Sequence, residues 1–215
     1  MPPTPPAPTG SLDPSEVQVG TPNGPGIYIA PAGTEPPDST DEEWDEPWHI
    51  LGYLSDDGPT VGSSTDSESI QPWQSAVPLR EVITGRSVTM QFVIWSLNEQ
   101  TIALYFDADV PTADADGAID MELRTDTPAH LYAIGIDSAD AERVFRISFR
   151  RASLSDAGDM AISRGAAVPL DCTLSALDDG GVLGRVQLGP RAEGDSGNGG
   201  TGNGRRRHAP AEAAA

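Results

Sequence analysis

The chain has 215 residues, enough for one well-buried core or at most two small ones, and its formal net charge of -20 is large for that size. A field of that sign repels nucleic acid at physiological salt, and the single cysteine, Cys172, excludes an internal disulfide or a cysteine-rich metal site. No apolar run approaches the roughly 20 residues needed to span a bilayer, and the opening MPPTPPAPTG lacks the basic and apolar regions of a secretory signal, so a soluble protein kept in the cytoplasm is expected.

Eleven of the 20 prolines precede Asp38, and seven of the 23 glycines fall between Gly189 and Gly204. Residues 1–24 and 191–215 therefore read as flexible arms around a folded middle at 25–190. Ile27-Tyr28-Ile29 reads as a first strand, followed by an acidic loop from Pro31 to Glu46. His49 to Leu54 reads as a second strand, with Ile50 and Leu54 on one side and His49, Leu51 and Tyr53 on the other. Ser55-Asp56-Asp57-Gly58 suits a tight turn, because Asp and Gly tolerate positive φ. From Pro59 to Pro78 the chain is polar and aperiodic apart from Trp73, which predicts a long loop, and loops of that length usually have a function.

After Leu79 the pattern turns strongly β. Val88, Met90, Phe92 and Ile94 alternate with Ser87, Thr89, Gln91 and Val93, giving one apolar face and one mostly small, uncharged polar face. Ser96-Leu97-Asn98-Glu99 has the form of a capping box and predicts a helix to about Phe106. Its buried stripe is either Leu97, Thr101, Leu104 and Ala108 or Ile102, Tyr105 and Phe106. Further strands are predicted at Ile119, Met121 and Leu123, at Tyr132, Ile134 and Ile136, at Phe145, Ile147 and Phe149, and at Val168, Leu170, Cys172 and Leu174. Asp178-Asp179-Gly180-Gly181 then predicts a hairpin turn into Val182, Val186 and Leu188. The sum is a mainly β protein, an antiparallel β-sandwich or barrel with one short flanking α-helix.

Little in the chain points to catalysis. The carboxylates are scattered through loops such as Asp41 to Glu46 and Asp107 to Asp116, and read as solvated surface rather than a glycosidase pair. His49, His130 and His208 lack metal-ligand spacing, Cys172 lies on an apolar strand face, and the glycines near Gly197 precede no helix that would cradle phosphate. Arg205, Arg206 and Arg207 follow a Gly/Asn linker and read as a mobile tail. No catalytic, cofactor or metal site is expected. Arg146 and Arg150 fall together on the polar side of one strand, where they are expected to face solvent and pair with acids of a neighbouring subunit.

The run Trp48 to Gly58, the polar segment Ser63 to Ile70, Trp73, the strand Val88 to Trp95 and a short helix ending in Tyr105 and Phe106 come in an order that resembles the major tail tube proteins of siphophages, especially those infecting actinobacteria. The likeness spans about Gly26 to Leu188, and its specific part is residues 48 to 106. It implies a virion protein assembled in the host cytoplasm into stacked hexameric rings around a DNA conduit. Its partners would be itself and the tape measure, tail terminator and baseplate proteins, with neither specific DNA binding nor a membrane. It also implies that the segment Ser55 to Pro78, with Asp56, Asp57, Gly58, Asp66, Glu68 and Trp73, reaches the next ring, and that Ser87, Thr89 and Gln91 line the lumen. The rivals are a head decoration or minor tail protein and a carbohydrate-binding module using Trp44, Trp48, Trp73 and Trp95 as stacking platforms.

Overall fold

The computed structural model describes residues 26–114, 116–126, 128–140 and 142–191. The expected arm at 1–24 and, beyond Arg191, the expected tail with Arg205, Arg206 and Arg207 lie outside the described residues. The elements run β1 (Ile27–Pro31), β2 (His49–Ile50), β3 (Thr60–Ile70), β4 (Arg80–Ile94), α1 (Glu99–Tyr105), β5 (Leu131–Ala139), β6 (Arg143–Ala157), β7 (Leu170–Ala176) and β8 (Arg185–Pro190). The strands pair antiparallel in the order β2-β1-β5-β6-β7-β4-β3, with β8 added to β6. The sheet does not close into a barrel, although an isolated bridge ties Leu54 to Ile94.

β6 organises this arrangement. One of its edges carries β5; the other carries β8 along Arg143 to Ser148 and β7 along Ala152 to Ala157. A bulge interrupts the ladder with β5, for two steps from Tyr132 to Ile134 face three from Phe149 to Ala152. The extra residue switches the apolar side of β6 from Phe145, Ile147 and Phe149 to Ala152 and Leu154. Alternating residues of β1, β4, β5, β6 and β7 thus converge on one core, with Ile27, Phe92, Ile134, Phe149 and Leu174 among its members.

The opposite face of the β1-β5-β6 layer is covered by the segment between β1 and β2. Trp44 stacks on Tyr28 with ring centroids 4.9 Å apart, meets the edge of Trp48 at 4.6 Å, and lies so close to Gly135 that any side chain there would collide with its ring. Beneath it, Arg146 grips Asp137 with both ends of its fork, Nε to Oδ1 at 2.7 Å and one terminal nitrogen to Oδ2 at 2.8 Å. Two of the three remaining guanidinium protons go to the carbonyls of Ser39 (2.8 Å) and Glu42 (3.0 Å), and the Trp44 indole N–H completes Asp137 at 2.8 Å. Arg146 is only 2% exposed, so the expectation of a surface arginine free for a neighbouring subunit is corrected. Its side of the strand is polar because it holds down a second layer, not because it faces water.

Other expectations also shift. The second strand shrinks to His49–Ile50, since Gly52 turns at φ +102°, burying Leu51 and exposing Tyr53. The helix cap is Asn98 rather than Ser96, with Asn98 and Thr101 exchanging side-chain and backbone hydrogen bonds. Ser96 instead accepts the Tyr53 N–H at 2.7 Å. Thr101 and Leu104 of the first proposed stripe are buried, but Leu97 is exposed. Residues 119–124 form no strand. The Asp179–Val182 bridge closes the expected turn, with Gly180 and Gly181 at positive φ, yet the chain then pairs with β6 instead of returning along β7.

Arg146→Met should lower the unfolding free energy by about 3–5 kcal/mol, because it strands a buried carboxylate. Urea titration checks this, and Arg146→Met combined with Asp137→Leu should lose clearly less than the single variant.

Candidate assembly surfaces

The segment expected to be a structureless loop is instead a strand ladder. β3 pairs with β4 from Thr60–Gln91 to Ile70–Arg80, with a bulge at Asp66/Ser67. The sequence hides it because both faces of β3 meet solvent, leaving no apolar alternation to read. β7 accompanies β4 only over Thr89 to Ile94, so residues 80–88 have β3 on one side and no strand on the other. That leaves a two-stranded arm about 27 Å long at the usual rise per residue. Its turn is closed by Leu79 N–H to the Ile70 carbonyl at 2.9 Å and by the Gln71 side-chain amide to the Ala76 carbonyl at 2.8 Å. Trp73, at the tip, is 99% exposed, and Ile70, Val77, Leu79 and Ile83 are exposed with it.

Of the residues expected on an inter-ring loop, Asp66 and Glu68 lie on the arm and Trp73 at its end, while Asp56, Asp57 and Gly58 sit at its base in a turn closed by Gly58 N–H to the Ser55 carbonyl at 3.2 Å. Ser87, Thr89 and Gln91 fall on the side of β4 away from the core. The register extends that side across the sheet, through Ser64 opposite Ser87, Ser175 opposite Thr89, Thr173 opposite Gln91, and Ser153 opposite Ser175. Gln91 donates to Asp171 at 3.2 Å within this hydroxyl-rich face, and Asp156 stands opposite Thr173. Arg150 pairs within the chain, with Glu35 at 2.9 Å and Asp179 at 3.3 Å. Trp44 and Trp48 are taken up by the covering layer and offer no stacking platform.

A third surface is β8, which among the described residues pairs only with β6. Val186 and Leu188 stand opposite Ile147 and Phe145 on the core side of the sheet, yet they remain 63% and 56% exposed because none of the described residues covers that side of β8. On the other side, the Gln187 side-chain amide donates to the Asp38 carbonyl at 2.8 Å and Arg185 pairs with Asp38 at 3.3 Å.

Two ionisable groups have environments the sequence did not announce. Cys172 is buried in the core and its thiol is pushed up to about 12, first by desolvation and then by the Asp171 charge, which makes it inert. The His130 ring lies between the Asp107 carbonyl and the Asp109 carboxylate, each at 3.1 Å, and its backbone N–H donates to Asp107 Oδ1 at 3.1 Å. Burial of the ring disfavours its charge, but the hydrogen bonds to Asp109 and Asp107 and their charges outweigh this and raise the pKa from 6.5. This clip closes the long 107–130 segment at its base. Among the described residues no group of three or more His, Cys, Asp or Glu is placed to hold a metal ion, and no helix is long and apolar enough to cross a membrane.

A family model described as phage tail tube protein matches residues 11–185. The chain belongs to the phage tail tube protein family. It is therefore a structural protein of the virion, part of a multi-subunit tail. Among solved structures, a chain from the virion of a native gene transfer agent particle resembles it at 8% identity and a TM-score of 0.39, over 76% of this chain and 95% of that one. No curated protein matches the sequence.

Because the folded pKa of His130 is raised, its contribution is complete below 6.5 and is lost as pH climbs through the folded value. Melting temperatures of wild type and His130→Gln should therefore differ most below pH 6.5 and draw together as pH rises above the folded value. A constant offset across that range would contradict the clip.

Proposed function

We propose that this tail protein is the major tube subunit, that its copies join edge to edge into rings, and that the stacked rings form the conduit through which DNA leaves the particle. The observation that carries the reading is the continuous face of Ser, Thr and Gln side chains across β3, β4, β7 and β6, backed by the core and ending at an unpaired β3 edge. Such a face is wettable and, with Asp171 and Asp156 against Arg151 beside Ser153, is not net cationic, which suits a bore that must pass a polyanion without holding it. Ser87, Thr89 and Gln91 are its lumen residues in this reading, with Asp171 and Asp156 adding negative charge.

Edge pairing between copies would also satisfy the free backbone groups of β3 and β8, which an isolated subunit exposes as sites for uncontrolled association. The arm, anchored at Asp56, Asp57 and Gly58 and carrying Asp66, Glu68 and Trp73, reaches toward the next ring. The chain acts by shape and charge, without catalysis. Six-fold rings, and contacts with tape measure, terminator and baseplate proteins, extend the same reading.

Concentrated purified protein should form hollow tubes in negative-stain micrographs. Particles built with Thr89→Arg and Gln91→Arg should assemble normally but eject DNA severalfold more slowly, since fixed cations in the bore would bind phosphate. Monodisperse monomers at every concentration would sink the reading, and unchanged ejection would remove Thr89 and Gln91 from the bore.

A further inference from the structure

We propose that the apolar tip of the β3–β4 arm of one copy seats across the free edge of β8 of a second copy, against Val186 and Leu188 on its core side and the Asp38–Asp41 segment on the other. This rests on the tube reading above and names the acceptor that the reading leaves unspecified.

The donor side is set by charge and by fold. Two chains of net charge -20 repel, so they must meet where acids are sparse. From Ile70 to Arg80 the only charged residue is Arg80, the first cation in the sequence, after 13 acids. Among the described residues neither Arg80 nor Arg86 has a carboxylate within ion-pair distance. A two-stranded ribbon with solvent on both faces is marginal alone, and a fully exposed Trp at its end gains stability only by burial against something else.

The acceptor side combines three complementary features. β8 from Val186 to Pro190 carries no charge and presents Val186 and Leu188 to solvent. Its free edge offers backbone groups to an added strand. The cleft alongside it, about 440 Å³, is walled on its far side by Asp38, Ser39, Thr40 and Asp41. The Asp41 carboxylate has no partner among the described residues, so on the Gln187 side of β8 it is available to Arg80, while Trp73, Val77 and Leu79 reach round the free edge to cover Val186 and Leu188 on the opposite, core side. Arm and cleft differ in surface and do not complement themselves, so each copy uses one of each, the heterologous contact from which rings and stacks are built.

The test uses full-length chains. Tubes are grown from an equal mixture of Gln74→Cys and Leu188→Cys chains, gently oxidised, and the linked peptides are identified by mass spectrometry. The buried Cys172 stays silent under these conditions. A dimer joining position 74 of one chain to position 188 of the other is expected, with at least tenfold less product when Ile162→Cys, another exposed apolar site, replaces Leu188→Cys. Tubes that yield no 74–188 link, or that link 162 equally well, overturn the acceptor and leave the tube reading standing. If wild-type chains form no tubes, the tube reading falls and this proposal falls with it. In a doubly substituted chain, a 74–188 bond closing within one molecule would also overturn it, by showing that the arm folds onto its own β8.

Discussion

The architecture depends on a single long strand serving two half-sheets. β6 gives one edge to β5 and divides the other between β8 and β7, so its two ends belong to different parts of the sheet. A straight strand with unbroken alternation would direct its apolar side chains to one flat surface. The extra residue between Phe149 and Ala152 changes which positions face inward, and the core residues of β1, β4, β5 and β7 then find one another around it. Breaking that strand would separate the half-sheets instead of merely loosening one of them.

The same strand explains why the β1-β5-β6 layer is buried on both faces. Arg146 and Asp137 stand on the side away from the core, and an exposed ion pair there would contribute little. Covered by Trp44 and capped by the Ser39 and Glu42 carbonyls, they instead fix the acidic segment between β1 and β2. Each nitrogen of the Arg146 guanidinium has at least one acceptor, which is the condition under which a buried pair is tolerated. That segment in turn forms one wall of the cleft beside β8. A buried interaction within the subunit thus shapes a surface available to its neighbours.

Charge frames the assembly problem. A strongly acidic chain stays soluble and does not retain nucleic acid, but it also resists self-association. Two exposed features that carry little acid are the tip of the β3–β4 arm and β8, and both present exposed apolar side chains next to strand edges that are unpaired among the described residues. Solubility of the free subunit and contact between subunits are thereby assigned to different parts of one surface.

By itself the sequence determined the fold class, the positions of β1, β4, β5, β6 and β7, the place of Cys172 on an apolar strand face and the family resemblance. Those features are local: a strand lying on a core writes a period of two into its own residues, and Val88 to Ile94 shows that period plainly. Tertiary structure decided the rest. β3 leaves no apolar period because its partner is β4 and both faces are wet, so Thr60 to Ile70 reads as loop until the ladder is seen. Arg146 reads as a surface residue because the segment that buries it lies about a hundred positions away in sequence, and Trp44, Gly135 and Asp137 acquire their meaning only when brought together. Val186 and Leu188 read as a strand returning along β7, whereas the sheet places them on β6, where their core-side face is left open. Local periodicity records what a residue's own strand buries; it does not record which distant segment covers the other face, or which face is left uncovered.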